Sequence, residues 1–290
     1  MLALVPALLV VNAALAVSPS AAAPRPTTIR AFMEIGGPTR VIAHRGSSGT
    51  APENTLVAIR RAIDVGADMV EVDVTVTADG HVILLHDETL DRTTDGEGVP
   101  TAQTLEAIRQ LDAGSWFASD YAGERIPTLA EALCTVKDRI LINIEIKSEA
   151  VEHGVVPKVA ELVIGHGMVD QVVVSSFSPE ALSRMKTTAP EIVTASLFNK
   201  EIHTGRDPLE IIQEVGSRGF NISGKRLTQE MVDRCHDHEI PVAVYTVNEP
   251  AELRRLAAMG VDAVFTDLPD LMLEIAAELG DVTTVVAAPS

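Results

Sequence analysis

Met-Val-Glu-Val-Asp-Val (residues 69–74) and Ile-Asn-Ile-Glu-Ile-Lys (residues 142–147) are two strand-like runs in which polar and apolar residues alternate. Because strand side chains point alternately to opposite faces, Glu71 and Asp73 line one face of the first run. Burying an unpaired carboxylate is costly, so a buried acidic face requires a compensating cation. The two runs therefore predict buried strands whose polar faces meet at a cation site.

The polar face of the second run holds Asn143, Glu145 and Lys147. With the two carboxylates of the first run, it brings three carboxylates and a lysine toward one place. Such a set suggests a divalent metal beside an anionic ligand. The alternative interpretation is an internal ion-pair network in which Lys147 and Arg45 balance the carboxylates.

The composition limits the fold and the partners. With 290 residues, 46% of them hydrophobic, the chain can bury a large core in one barrel-sized domain or in two smaller domains. The formal net charge of -18 argues against nucleic-acid binding, which needs clustered Lys and Arg. A small phosphate ligand is compatible with this charge, because its binding needs only a few local cations.

The N-terminus has the features of a targeting segment. Residues 2–17 form a nearly uninterrupted apolar run, and three alanines follow at positions 21–23. This pattern predicts a signal peptide over residues 1–23, a linker over residues 24–38 and an exported protein, whether secreted, periplasmic or at the cell surface. The first basic residue, Arg25, comes after the apolar run, so an uncleaved anchor or a misassigned start, with a cytoplasmic protein, are the alternatives.

Between residues 39 and 280, eight strand-like runs alternate with helix-like stretches, and residues 281–290 are expected to form a tail. The runs are residues 40–43, 69–74, 140–146, 171–176, 192–197, 219–222, 242–246 and 262–265. Eight strand–helix units over this length predict an α/β fold of the TIM (β/α)8 barrel class. An open parallel sheet is the alternative, because the number of strands does not show whether the sheet closes.

Four positions mark expected helix starts. Thr128 begins a capping-box pattern, and Ser178 precedes a proline. Thr228 and Asn248 are expected to cap two later helices.

Residues 80–127 interrupt the alternation of strands and helices. They contain another short strand (residues 82–85), a Gly- and Thr-rich turn and a short helical stretch (residues 104–111). This pattern predicts an insertion after the second barrel strand. Loops that follow barrel strands carry active sites, so the insertion is expected to lie over the substrate.

The chemically notable residues follow the strands. His44 and Arg45 end the first run, His86 follows the inserted strand, and Lys147 ends the third run. The carboxylate oxygens suit Mg²⁺ or Ca²⁺. A metal, a lysine and an arginine can neutralise a phosphodiester, while two histidines can serve as its base and its acid. Together these residues predict metal-assisted cleavage of a phosphoryl ester.

Seven short motifs, in order between about residues 40 and 275, resemble those of the glycerophosphodiester phosphodiesterases, in particular the bacterial members with a short insertion. The motifs are His44-Arg45-Gly46, Ala51-Pro52-Glu53-Asn54-Thr55, Glu71-Val72-Asp73-Val74, His86-Asp87, Glu145-Ile146-Lys147, Ser176-Phe177 and Tyr245-Thr246-Val247-Asn248.

The resemblance implies a TIM-type barrel that hydrolyses glycerophosphodiesters to glycerol 3-phosphate and an alcohol, with one divalent cation, Ca²⁺ or Mg²⁺. It also assigns roles to ten residues. It implies metal ligands at Glu71, Asp73 and Glu145, an acid–base pair at His44 and His86, phosphate contacts at Arg45 and Lys147, and further substrate contacts at Asn54, Phe177 and Tyr245.

Three expectations within this scheme are open. Glu53 and Asn54 either cap the first helix or, for Asn54, contact the metal or position Arg45. Tyr245 stands where many relatives have Trp, which leaves the head-group preference open. A barrel that hydrolyses lysophospholipids, and a barrel that binds polyol phosphates without cleaving them, are the alternative functions.

Overall fold

The computed structural model describes residues 25–199 and 201–286. Its strands are β1 (Arg40–Ala43), β2 (Met69–Val76), β3 (Val82–Leu84), β4 (Leu141–Ile146), β5 (Val172–Ser176), β6 (Val193–Phe198), β7 (Gly219–Ser223), β8 (Val242–Tyr245) and β9 (Ala263–Thr266). All except β3 are parallel neighbours, and β1 pairs with both β2 and β9. The sheet therefore closes, which confirms the predicted barrel and rules out the open sheet.

The helices surround this barrel or lie in its loops. The α-helices are α1 (Ile29–Phe32), α2 (Leu56–Val65), α3 (Leu105–Ile108), α4 (Leu129–Val136), α5 (Val155–Gly165), α6 (Pro179–Thr188), α7 (Pro208–Val215), α8 (Gln229–Asp237), α9 (Pro250–Ala258) and α10 (Pro269–Val286). Short 3₁₀ helices span Pro100–Ala102, Ser119–Tyr121, Ser148–His153 and Val169–Gln171. Among the described residues, no helix combines the length and the apolar character that crossing a membrane requires.

Most predicted helix starts are confirmed, and one is wrong. Thr128 forms a complete capping box, and the side chains of Ser178 and Thr228 accept backbone N–H groups of their helices. Asn248 does not cap α9, because Glu249 occupies that position and makes no side-chain cap bond. The side chain of Asn248 is held by tertiary hydrogen bonds instead.

Two segment boundaries differ from the sequence expectation. The predicted linker, residues 24–38, contains α1, whose Ile29 and Phe32 are buried. These side chains pack with Met69 and Leu141 at the N-terminal ends of the barrel strands. Burial of this apolar surface stabilises the four-residue helix at this position. At the other end, α10 continues into the predicted tail, whereas the predicted signal peptide lies outside the described residues.

The insertion is confirmed between β2 and α4. Strand β2 extends to Val76, beyond its predicted end, because Val76 pairs with Val82 of the antiparallel β3. Further along, Phe117 packs edge-on against Trp116 and Tyr121. The Tyr121 hydroxyl donates to the backbone oxygen of Thr50 over 2.7 Å, which ties the insertion to the loop after β1.

The interior face of the barrel changes from apolar to acidic along its strands. On β2, buried Met69 is followed on the same face by Glu71 and then by Asp73. On β4, Leu141 and Glu145 repeat this order. The carboxylates therefore lie toward the C-terminal ends of the strands, where barrel enzymes place their active sites.

Candidate active site

Three carboxylates converge from two adjacent strands. In the β2–β4 register Asp73 stands beside Glu145, and Glu71 lies two residues earlier on β2, beside Asn143. One oxygen of each of the three side chains lies within 4.8 Å of the others. Such a group of hard oxygen atoms could hold a divalent cation.

The surroundings of Glu71 fit such an ion. Its Oε2 accepts the backbone N–H of Arg45 at 2.8 Å, whereas its buried Oε1 has no hydrogen-bond partner among the described residues. Burial, followed by the nearby charges of Asp73 and Glu145, holds the pKa of Glu71 well above its usual range. A buried, unpartnered carboxylate oxygen facing two other carboxylates is a suitable metal ligand.

Two cations lie against the same carboxylates. Lys147 Nζ is 2.9 Å from Glu145 Oε1 and 3.5 Å from Asp73 Oδ1, and Arg45 Nε is 3.3 Å from Asp73 Oδ2. Burial acts to raise the pKa of Asp73, but Lys147 and Arg45 lower it below its usual value. The ion-pair network weighed as an alternative is therefore present, and the contact of Lys147 and Arg45 with a substrate phosphate stays a prediction.

The turn after β1 positions Arg45 and Asp73. Arg45 and Asn54 both have a φ of 55°, in the left-handed region that non-glycine residues seldom adopt. Arg45 Nη1 donates to Glu53 Oε1 at 2.7 Å. The side-chain amide of Asn54 donates through Nδ2 to Asp73 Oδ2 and accepts the backbone N–H of Asp73 at its Oδ1. The capping role considered for Glu53 and Asn54 is wrong, because the side chain of Thr55 caps α2.

His44 is held from one side by a carboxylate that sequence reasoning missed. Its Nδ1 lies 2.7 Å from Oδ1 of Asp267, which directly follows β9. Ser48 Oγ donates to the same oxygen at 2.8 Å, and Asn248 Nδ2 donates to Oδ2 at 2.6 Å. Although burial raises it, these hydrogen bonds bring the pKa of Asp267 to about 2.

His86 is held in the same way, but in more charged surroundings. Its Nδ1 lies 2.6 Å from Asp87 Oδ1, and Arg92 binds both oxygens of Asp87 and both oxygens of Glu53. Burial lowers the pKa of His86; Asp73 opposes this effect, whereas Lys147 adds to it.

An aromatic pair lies at the ends of β5 and β8. The rings of Phe177 and Tyr245 meet edge-on with centroids 5.9 Å apart, and the Tyr245 hydroxyl donates to the backbone oxygen of Phe198. His203, to which no role was assigned from the sequence, stacks on Phe198 and bonds the backbone oxygen of Phe177. The added hydroxyl of Tyr245 therefore fixes the ring in place.

The structure brings the two histidines to the end of the barrel that holds the carboxylates, since His44 directly follows β1 and the nearby charge of Asp73 acts to raise the pKa of His86. Sequence reasoning missed Asp267 and Arg92. A signal for Asp267 was available, because Thr266-Asp267 ends the last strand, where the other strands place their polar residues. Arg92 lies in the insertion and carries no comparable signal.

Comparison with known proteins places this arrangement in a family. Residues 44–271 match the model of the glycerophosphoryl diester phosphodiesterase family. A glycerophosphodiester phosphodiesterase from Caldanaerobacter subterraneus is 36% identical over 82% of this chain and 97% of its own length. One from Bacillus subtilis is 36% identical over 81% of this chain and 85% of its own.

Solved structures agree with these sequence matches. An Oleispira antarctica phosphodiesterase, solved in complex with the product sn-glycerol-3-phosphate, superposes with a TM-score of 0.77 at 33% identity, over 82% of this chain and 96% of that one. A glycerophosphodiester phosphodiesterase from Agrobacterium tumefaciens gives 0.72 at 31% identity, over 83% and 99%. This chain therefore belongs to the glycerophosphoryl diester phosphodiesterase family, a family of phosphoric diester hydrolases.

Proposed function

We propose that this protein hydrolyses glycerophosphodiesters to glycerol 3-phosphate and an alcohol in a metal-dependent reaction. The observation that carries the proposal is the placement of His44 and His86 at a cluster of three carboxylates, with the Nδ1 of each ring held by an aspartate. The name of the Caldanaerobacter relative and the product bound to the Oleispira enzyme support the choice of substrate.

Glu71, Asp73 and Glu145 are the proposed metal ligands, and the ion is Ca²⁺ or Mg²⁺. Their oxygen atoms and the unpartnered Oε1 of Glu71 suit a hard cation. A divalent cation bound there would supply positive charge to a phosphodiester oxygen.

Arg45 and Lys147 are the proposed contacts of the substrate phosphate. Both side chains are largely buried at the carboxylate cluster and each carries several N–H donors. Arg45 is anchored by Glu53, which fixes its guanidinium group before the substrate binds. Preorganised donors of this kind stabilise the charge that develops on a reacting phosphoryl group.

The two histidines would divide the proton transfers through their Nε2 atoms. One accepts a proton from the attacking oxygen, which belongs to water or to the neighbouring hydroxyl of the substrate. A new P–O bond forms as the bond to the alcohol breaks, and the other histidine donates a proton to the leaving oxygen. When the substrate hydroxyl attacks first, water opens the resulting cyclic phosphate in a second step.

The test is release of choline from glycerophosphocholine, with glycerol 3-phosphate as the second product, and release of choline from lysophosphatidylcholine as a second substrate. We expect activity on glycerophosphocholine, loss after exhaustive chelation and recovery with Ca²⁺ or Mg²⁺. His44→Ala and His86→Ala should each lower kcat by about 100-fold or more, the scale of general acid–base catalysis. His238→Ala is the control, because His238 lies at the end of α8 and bonds only backbone among the described contacts.

Each result addresses one part of the proposal. Activity that survives chelation would show that the reaction does not need the metal. A histidine variant with parental turnover would show that this histidine does not take part in the reaction. Faster cleavage of lysophosphatidylcholine than of glycerophosphocholine would favour the alternative function, a barrel that hydrolyses lysophospholipids. Binding of glycerophosphocholine without cleavage under any metal would favour a barrel that only binds its ligand.

Export is a separate proposal that depends on residues 1–23. Mass spectrometry of protein from the native host would test it: cleavage after Ala23 is expected, and an intact N-terminus on cell-retained protein would contradict it. The apolar run that ends at residue 17 supports this proposal.

A further inference from the structure

The side chain of Asp267 connects three elements of the active-site end of the barrel. Its Oδ1 contacts His44 after β1 and Ser48 in the following turn, and its Oδ2 contacts Asn248 after β8. A carboxylate can only accept hydrogen bonds, and with a pKa of about 2 Asp267 is ionised at neutral pH. The neutral His44 ring must therefore carry its hydrogen on Nδ1, which leaves Nε2 as the free acceptor.

The orientation of Asn248 is fixed by its own hydrogen bonds. Its Oδ1 accepts from the hydroxyl of Thr266 at 3.1 Å and from the backbone N–H of Asp267 at 2.9 Å. Its Nδ2 must therefore point toward Asp267, as the 2.6 Å contact with Oδ2 shows. On the side that points away from His44, the side chain at position 267 therefore meets a fixed N–H donor, the Nδ2 of Asn248.

The two histidines differ in what surrounds their aspartates. Asp87 is paired with the guanidinium group of Arg92, so much of its charge is already balanced. The other partners of Asp267 are a hydroxyl and an amide, both neutral. Among the described residues whose side chains hydrogen-bond to the Asp267 carboxylate, His44 is therefore the only one that can become positively charged.

We propose that Asp267 is a positioning residue for the reaction, and that it holds His44 in the Nδ1–H form with Nε2 directed at a reacting oxygen of the phosphodiester. The inference rests on the proposed function, because it assumes that His44 transfers a proton there. Ser48 and Asn248 keep Asp267 in place. When His44 is protonated during turnover, the adjacent negative charge stabilises the imidazolium form.

Asp267→Asn tests this geometry with little change in shape. The new amide faces Asn248 Nδ2, so its oxygen is expected to turn toward that donor and its NH₂ toward His44. His44 Nδ1 must then accept, which moves the ring hydrogen to Nε2 and removes the acceptor from the reaction. We expect kcat to fall by about 100-fold or more while KM changes by less than about threefold.

A second substitution should restore the arrangement. In Asp267→Asn with Asn248→Asp, the carboxylate at position 248 can accept from the new NH₂ and keep its bonds to Thr266 and the backbone. The amide oxygen at position 267 is then free to accept from His44 Nδ1. We expect the double variant to recover about tenfold or more of the kcat lost, whereas Asn248→Asp alone places two carboxylates together and lowers activity.

Asp262→Asn is the matched control. Asp262 immediately precedes β9, at the opposite end of the strand, and its Oδ2 lies 2.8 Å from Nε2 of His236. This is the same pair of residue types away from the proposed site. Its substitution should leave kcat and KM within about twofold of the parent.

Histidine-selective nitrogen NMR reads the tautomer directly, with the signals of His44 identified by their loss in His44→Ala. We expect hydrogen on Nδ1 in the parent and in the double variant, and on Nε2 in Asp267→Asn. Parental kcat in a folded Asp267→Asn variant, with His44→Ala inactive, would overturn the inference. Full activity in His44→Ala would instead remove the role of His44 in the proposed function.

Discussion

Asn54 and Asp73 are joined by two hydrogen bonds in opposite directions. Asn54 Nδ2 donates to Asp73 Oδ2 at 2.9 Å, and the backbone N–H of Asp73 donates to Asn54 Oδ1 at 3.1 Å. Both side chains are buried. The loop after β1 thereby fixes the rotamer of a proposed metal ligand on β2.

Asn54→Ala should weaken both metal binding and folding. It removes two hydrogen bonds at a buried carboxylate and places Ala at a φ of 55°, which L-residues other than Asn and Asp disfavour. We expect metal affinity to fall by about 10-fold or more and the free energy of unfolding to fall by about 2–3 kcal/mol. Titration calorimetry and urea denaturation measure the two effects.

Asn54→Gly separates backbone strain from lost hydrogen bonds. Gly adopts the left-handed conformation without strain, so Asn54→Gly should be the more stable variant by about 1 kcal/mol. The two variants should bind the metal equally weakly, since both lack the amide. Parental metal affinity in Asn54→Gly would show that the amide does not orient Asp73.

Glu71→Gln should have opposite effects on metal-free and metal-loaded protein. Glu71 is buried beside Asp73 and Glu145, and its Oε1 has no hydrogen-bond partner in the described part of the chain. Removing its charge relieves repulsion, so Tm without metal should rise. The stabilisation that Ca²⁺ or Mg²⁺ gives the parent should largely disappear. Thermal unfolding with chelator and with each metal checks both effects; a parental metal response would contradict the ligand role.

Short-range patterns predicted the barrel and the strand positions of many residues of the candidate site. The alternation of polar and apolar residues at Glu71, Asp73 and Glu145 indicated one strand face, and the β2–β4 register places these residues together. The rule that barrel sites lie at the C-terminal ends of strands then added His44 and Arg45. These inferences need only a strand period and a strand end, both of which are local in the sequence.

The missed features depend on contacts between distant segments. His44 and Asp267 are separated by 223 residues, and no local pattern relates them. Asn248 was predicted as a helix cap because Asn is common there, but its bonds to Thr266 and Asp267 fix it elsewhere. Polar residues at strand ends thus indicate a site, whereas their pairing depends on the closed barrel.

Arg92→Gln should reduce turnover by a moderate factor. Arg92 connects Asp87, the partner of His86, to Glu53, the partner of Arg45. Its loss frees both carboxylates to move, so we expect kcat to fall by about 3- to 30-fold. Steady-state kinetics with glycerophosphocholine measures the effect.

Arg125→Gln is the control for Arg92. Arg125 lies in the same insertion, but its described contact is with the backbone oxygen of Leu111. Its substitution removes the same charge from the same segment and leaves the described contacts of Asp87 and Glu53 in place. Equal losses in the two variants would mean that the positive charge of the insertion matters, rather than the bridge that Arg92 makes.

The hydrogen bonds to Asp267 should appear in the acid stability of the protein. Burial raises the pKa of Asp267, but the bonds from His44, Asn248 and Ser48 lower it to about 2, from the ordinary value of 3.8. The folded state therefore binds this proton less readily than the unfolded state, and the stabilisation is complete above pH 3.8. It is lost as the pH falls through about 2.

Asp267→Asn removes this titration, so the difference in unfolding free energy between parent and variant should shrink as the pH falls from about 5 to about 2. Urea denaturation of the parent and the variant at a series of pH values measures this difference. A difference that stays constant over this range would mean that the bonds to Asp267 do not favour its ionised form. In that case the preference of His44 for the Nδ1–H form would lose its electrostatic basis.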